Sequence, residues 1–83
     1  SRDVIDIIMN IESIEAAAMF REDHHNQHKI SLRSKGRIEV VSVAEGIGGG
    51  GHKYAAGAYF TGSREELKKN IIEQLSKKLA ELK

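Results

Sequence analysis

Gly46-Ile47-Gly48-Gly49-Gly50-Gly51-His52-Lys53-Tyr54-Ala55-Ala56-Gly57 is the stretch on which the reading of this chain turns, with five glycines in six positions before a histidine. Glycine loses more backbone freedom on folding than any other residue, about 0.5–1 kcal/mol relative to alanine, so a run of them needs a compensating reason. One reason is ligand binding. Without side chains in the way, consecutive N–H groups can converge on an anion, and a phosphate suits such a concavity. His52 beside the run can donate a hydrogen bond to a phosphate or sugar oxygen, more strongly when protonated. The bland alternative is a flexible turn with an incidental histidine. Ordered, apolar segments on both sides set the run apart from a Gly/Ser linker, so Gly48, Gly49, Gly50, Gly51 and His52 form a candidate phosphate-binding loop.

Two common glycine motifs do not fit. Gly46, Gly48 and Gly51 satisfy the bare G-x-G-x-x-G spacing of dinucleotide folds, but the chain has no room for repeated βαβ units. A P-loop would continue with Lys and then Ser or Thr. Here Gly51 is followed by His52 and Lys53, so the hydroxyl that would meet Mg²⁺ is missing.

Working outward, Ala55 to Thr61 reads as a strand with small residues where backbones come close. Ser63 followed by Glu66 spells a capping box, and Leu67, Ile71, Leu75, Leu79 and Leu82 continue as an apolar helical stripe. Upstream, Ile38 to Val43 is apolar and β-branched, which propensity reads as a strand; a helix over Val40 to Glu45 competes. Ser34-Lys35-Gly36-Arg37 is a turn. His28 to Arg33 alternates, with Ile30 and Leu32 on one face and Lys29, Ser31 and Arg33 on the other, as a half-buried strand does. Ile14 to Phe20 reads as a buried strand, and the polar run Arg21 to His28, with Asn26, as a hairpin loop. Val4, Ile7, Ile8 and Ile11 fall at helical spacing, so residues 3–11 are expected to form a short amphipathic helix. The sum is an α+β domain: a small mixed β-sheet of three or more strands packed against a C-terminal amphipathic helix, with the Gly-rich ligand loop at the sheet edge.

Bulk composition narrows the functional classes. The 83 residues allow one domain, and 40% hydrophobic with 30% charged content is that of a globular chain rather than a disordered one. Without cysteine there is no disulfide framework and no thiolate metal site. No apolar run approaches the length of a membrane span. A net charge of +1 confines any nucleic-acid site to a local patch. Ser1 opens the chain where Met would be natural, so a piece of a longer protein is expected, and the lack of cysteine, signal peptide and membrane run makes the expected location the cytoplasm.

The string Gly48-Gly49-Gly50-Gly51-His52-Lys53-Tyr54-Ala55-Ala56-Gly57 resembles the GGGH-x-x-AAG signature of the DHH-associated domain. That domain follows the catalytic DHH domain in oligoribonuclease/pAp-phosphatase-type enzymes, single-strand exonucleases and cyclic-dinucleotide phosphodiesterases. The segment Ser31-Leu32-Arg33-Ser34 is similar to the strand carrying the family's arginine, and the combination looks closest to the oligoribonuclease type. The resemblance runs from about Ile14 onward. It implies that Arg33, Ser34 and the loop Gly48 to His52 touch substrate phosphate or the terminal nucleotide of short RNA, other single-stranded nucleic acid or pAp. It also implies that catalysis and a divalent metal such as Mn²⁺ reside in an N-terminal DHH domain of the same chain. No catalytic residue, metal ligand or cofactor is then expected here. On this view residues 1–12 are a linker-helix stub and residues 13–83 the substrate-binding domain. The residues themselves support Arg33, because a guanidinium on the polar face of a strand can grip phosphate bidentately; a solvated arginine is the alternative.

Asp23-His24-His25 spells DHH but lies in a polar stretch with only Glu22 as a further nearby acid, so it is read as an exposed loop and not as the catalytic motif. Together with His28 it could bind Zn²⁺ or Ni²⁺ only adventitiously. Tyr54 can stack on a base or pack beside the loop, with packing preferred. Lys68, Lys69, Lys77 and Lys78, interleaved with Glu65, Glu66, Glu73 and Glu81, read as a solvated helix face. Two rival functions remain open: an independent metal-dependent hydrolase, which lacks the carboxylates for two metal ions, and a dimerisation domain without ligand.

Overall fold

The structure, a computed structural model, describes residues 4–10 and 14–82. In chain order these form β1 (Val4–Asn10), β2 (Ile14–His24), β3 (Gln27–Ser34), α1 (Val41–Gly46), β4 (Gly50–His52), β5 (Ala55–Thr61) and α2 (Arg64–Ala80). The strands make one sheet in the order β1-β2-β3-β5-β4. Every pairing is antiparallel, so the mixed sheet of the expectation is corrected to an antiparallel one within the expected α+β class. Short reversals explain two of the pairings. Two residues separate β2 from β3 and two separate β4 from β5, and hairpins that tight join only antiparallel neighbours.

Alternation assigns the two faces. His28, Ile30 and Leu32 of β3, Ala16, Ala18 and Phe20 of β2, and Ala56 and Ala58 of β5 are buried on one face. The stripe Leu67, Ile71, Leu75 and Leu79 of α2 covers them, joined by Ile38, Val40, Val43 and Ala44 around α1. Each such side chain contributes about 1.5–3 kcal/mol on leaving water, which is what fixes the helix on the sheet. Small residues on β2 and β5 let the helices approach closely. The Ser63 hydroxyl accepts the Glu66 N–H at 3.3 Å, starting α2 where the sequence marks it. Polar His28 joins the buried set because its Nε2–H donates to the Gly62 carbonyl, 3.1 Å away, where the chain leaves β5 for α2.

Three expectations are corrected. The helix expected over residues 3–11 is instead the strand β1 across Val4–Asn10, paired with β2 from Val4↔Arg21 to Asn10↔Ile14; residues 3 and 11 lie outside the described residues. Val4, Ile5, Ile7 and Ile8 are β-branched, stiff at χ1 and suited to a pleated surface, and a neighbouring strand was available to pair with. The polar loop expected over Arg21 to His28 shrinks to the turn His25–Asn26, with Asn26 at φ 59°. Backbone pairing of β2 with β3 carries the hairpin through its polar residues, and local side-chain bonds near the turn add to it: along β2 Arg21 Nε donates to Asp23 at 2.7 Å, and the Glu22 carboxylate accepts the N–H of the turn residue Asn26 at 2.9 Å. That last bond holds the Glu22 carboxyl below its usual range. The third correction concerns Ile38 to Val43, where the competing helix prevails over the strand. Ile38 and Val40 enter the core from the bend and N-cap that lead into α1, and Val43 and Ala44 face it from α1 itself.

Glu39 decides that helix start. Its carboxylate accepts the Ser42 N–H at 3.0 Å and the Ser42 hydroxyl at 2.6 Å, and receives Lys78 of α2 at 2.6 Å. The lysine first, then the two serine bonds, hold its pKa down at about 2 from 4.5. Because the folded value is the lower one, this contribution to stability is complete above pH 4.5 and is lost as pH falls toward 2. Urea unfolding of Glu39→Gln against the parent chain should therefore show a shallower loss of stability across that interval. Leu75→Ala, at a site with 0% exposure, should cost about 2–5 kcal/mol in the same assay, while exposed Glu73→Ala stays within about 0.5 kcal/mol.

Candidate functional site

The glycine run does two separate jobs. In its first half it ends α1. The N–H groups of Ile47 and Gly49 donate to the Ala44 carbonyl at 3.1 and 2.7 Å, and Gly48, at φ 90°, donates to Glu45 at 3.1 Å. The N–H groups of Gly48 and Gly49 are thus directed at helix carbonyls rather than outward at an anion. Gly49 then crosses directly beneath β5: a Cβ there would collide with the Gly57 carbonyl and the Ala58 methyl and lie 2.7 Å from the Ala58 Cα. In the second half, Gly50–His52 form the edge strand β4, where a Cβ at Gly50 would meet open space. An edge strand presents unpaired N–H and C=O groups outward, so backbone donors for a ligand are those of residues 50–52.

Register brings the separated candidates together. His52 pairs with Ala55, Ala55 pairs with Arg33, and Arg33 pairs with Ala17, in one row across β4, β5, β3 and β2. Arg33 follows buried Leu32 and therefore faces away from the helices, and directly paired residues share a face. Arg33 and His52 are both exposed there, two strand spacings or about 10 Å apart. The next row, Met19–Ser31–Gly57–Gly50, continues the same face with Ser31, Gly57 and Gly50 as a low floor between them. Arg33 Nη1 donates to the Leu32 carbonyl at 2.9 Å, leaving the guanidinium further donors for an incoming anion.

Two anchors hold this row. The Lys53–Tyr54 hairpin tip is tied by the Ser34 N–H to the Tyr54 carbonyl at 2.9 Å and by the Val40 N–H to the Lys53 carbonyl at 2.8 Å. The turn after β3 is closed by Ser34 itself: its hydroxyl donates to the Ile38 carbonyl at 2.6 Å and accepts the Gly36 N–H at 3.0 Å. Ser34 is thereby occupied within the fold, beside Arg33 but turned to the backbone. The sequence reading missed Glu15. Buried at 5% exposure, it accepts the Arg37 N–H at 3.0 Å while its carbonyl takes the Lys35 N–H at 2.9 Å. An acid next to the Ala run of a buried strand was the available signal. Tyr54 remains exposed at the hairpin tip, with Lys53 Nζ 5.5 Å from the ring centre.

Asp23-His24-His25 stands at the end of β2 and the following turn, with the Asp23 carboxylate engaged by Arg21 and both histidines exposed. Among the described residues no group of three or more His, Cys, Asp or Glu side chains is placed to hold a metal ion. Among the described residues no helix is long and apolar enough to cross a membrane.

Comparison with known proteins identifies the family. The family model of the DHHA1 domain matches residues 1–81. The chain is 33% identical over 76 residues to the bifunctional oligoribonuclease and PAP phosphatase NrnA of Mycoplasma pneumoniae, covering 92% of this chain and 22% of that protein. It is 36% identical over 61 residues to the protein of the same name from Mycoplasma genitalium, covering 74% of this chain and 19% of that one. The chain thus spans about a fifth of the length of these relatives.

The division of labour among the glycines can be measured. Gly49→Ala should cost at least about 1–3 kcal/mol in urea unfolding, because backbone and not a flexible side chain opposes the new methyl group. Gly50→Ala should cost less than about 1 kcal/mol, since only local backbone freedom is affected.

Proposed function

The chain belongs to the DHHA1 domain family, and on that premise we propose that it is a substrate-holding domain for nucleotide phosphate, acting on short RNA or pAp. Arg33 and His52 grip the phosphate from opposite sides of a small-residue floor, with the outward backbone groups of Gly50 to His52 completing the contact. A guanidinium supplies a planar fork of donors and an imidazole supplies one more, the combination a phosphate dianion takes up well. The observation carrying this reading is the single register row that holds Arg33, Ala55 and His52 on the open face. The names of the Mycoplasma relatives, oligoribonuclease and PAP phosphatase, point to the same ligand class.

Hydrolysis is assigned to a companion DHH domain in the same polypeptide, which would hold a divalent ion such as Mn²⁺. The donor set described for this chain does not suit a hydrolytic metal pair, which needs clustered carboxylates. This domain's contribution is then orientation. Holding the phosphodiester at a fixed distance from a nucleophile replaces an entropic cost that can amount to several kcal/mol of a barrier.

Titration of the ¹⁵N-labelled chain with a 5′-phosphorylated RNA dinucleotide, pAp and inorganic phosphate tests the reading. Saturable amide shifts confined to Arg33 and residues 50–52 are expected. Arg33→Ala and His52→Ala should each weaken binding about tenfold or more, the value of a charge-assisted hydrogen bond at about 1.5–3 kcal/mol. The ranking of the ligands identifies the substrate type, and the absence of any shift at millimolar ligand overturns the proposal.

A further inference from the structure

The open face does not stop at the Arg33–His52 row. Four residues further along the strands lies the row Arg21–Lys29–Tyr59, on the same face because the pleat repeats every two residues. Tyr59 is 72% exposed, the most exposed large hydrophobic side chain among the described residues. Its neighbour Lys29 has no ion-pair partner among the described residues, and Arg21 stands beyond it, paired with Asp23 at 2.7 Å. Three shallow depressions follow one another down this face. The first is lined by Ala17 and Arg33, the second by Met19, Lys29 and Ser31, and the third by Arg21, Gln27, Tyr59 and Thr61. The residues between the end rows are small or flexible: Gly50, Gly57, Ser31 and Met19.

Cations spaced along a flat floor beside an exposed ring are elements with which proteins track a single-stranded nucleic acid. The cations follow the backbone, and the aromatic face takes a base of any identity. From Arg33 to Lys29 the face runs about 13 Å, the length of roughly four nucleotides at about 3.4 Å of stacked rise each, fewer if the strand is extended. We infer that Tyr59 and Lys29 form a second subsite, which stacks a base and neutralises a phosphate of a single-stranded oligonucleotide a few nucleotides beyond the one held at Arg33 and His52. Gln27 and Thr61, in the depression beside the ring, offer donors and acceptors to the edge of that base. Such a subsite would make the domain prefer short oligomers over mononucleotides. The inference rests on the phosphate site proposed above and adds a length preference to it.

Binding of 5′-phosphorylated adenosine mononucleotide and of the 5′-phosphorylated oligoadenylate tetramer to the 83-residue chain, followed by tyrosine fluorescence and amide shifts, separates the two claims. The tetramer should bind more tightly than the monomer, and its shifts should extend to residues 29 and 57–61. Tyr59→Ala should remove about 5- to 100-fold of tetramer affinity, corresponding to base–aromatic stacking of about 1–3 kcal/mol, and leave the monomer unaffected. Tyr59→Phe should retain the tetramer affinity, because the ring face and not the hydroxyl does the stacking. The position is too exposed for either change to unfold the chain. If the monomer binds at Arg33 and His52 but the tetramer binds no more tightly, or if Tyr59→Ala changes neither, the second subsite is refuted and the phosphate site stands. If neither ligand binds, both fall. If Tyr59→Ala instead abolishes a concentration-dependent dimer seen by sedimentation, the face belongs to a second copy of the chain and the subsite is likewise refuted.

Discussion

A sheet that buries one face and leaves the other open imposes the order of everything else in this domain. The helix α2 lays Leu67, Ile71, Leu75 and Leu79 on the residues that β2, β3 and β5 turn toward it, and that burial is the largest favourable term available to so short a chain. Strand alternation then leaves no choice for the intervening residues. Once Leu32 is in the core, Arg33 is out, and once Ala56 is in, Ala55 is out. The candidate site is the complement of the core, and shifting either strand by one residue would exchange the two.

Small residues serve both sides of that division. Gly49 passes beneath Gly57 and Ala58 so closely that no side chain could intervene, and this contact seats β4 at the sheet edge. On the open face, Gly50, Gly57 and Ala55 keep the ground between Arg33 and His52 low. Part of what reads in the sequence as a ligand loop is therefore a packing seam. The run ends a helix, crosses a strand and only then becomes a surface. The anchors at Ser34 and Val40 matter for the same reason, since they fix the hairpin tip through backbone hydrogen bonds and leave the exposed side chains free of structural duty.

The sequence was most legible where one physical signal dominated. The α2 start at Ser63, the leucine stripe, and the alternation of β3 all matched the structure, because capping and burial act locally and with a fixed period. It was least legible where apolar spacing served two geometries. Val4, Ile7 and Ile8 satisfy a helical period, yet β1 pairs with β2, because a partner strand satisfied the backbone and β-branched residues favour the pleat. Ile38 to Val43 failed in the opposite direction. Propensity favoured a strand, but the Glu39 carboxylate bound to Ser42 and Lys78 begins a helix that covers the core. The polar hairpin tip was misread as a loop because its order comes from backbone pairing of β2 with β3, which the polar side chains of Arg21 to His24 do not announce.

By itself the sequence determined the class of the domain, its final helix, and the residue types proposed for the site: a guanidinium at Arg33, an imidazole at His52, and glycine between helix and strand. Those follow from composition and local spacing, which a chain carries into any fold. Only the tertiary structure decided which of these groups meet. Arg33 and His52 are far apart in sequence and become neighbours in one row because β5 inserts between β3 and β4, and that insertion is a matter of strand order. Local bonds at the end of α1 and in the turn after β3 take up the polar groups of Gly48, Gly49 and Ser34, whereas Gly50 to His52 remain at the sheet edge. Hydrogen-bond partners in a sheet are assigned by register across the whole chain, and no local stretch of sequence contains that information.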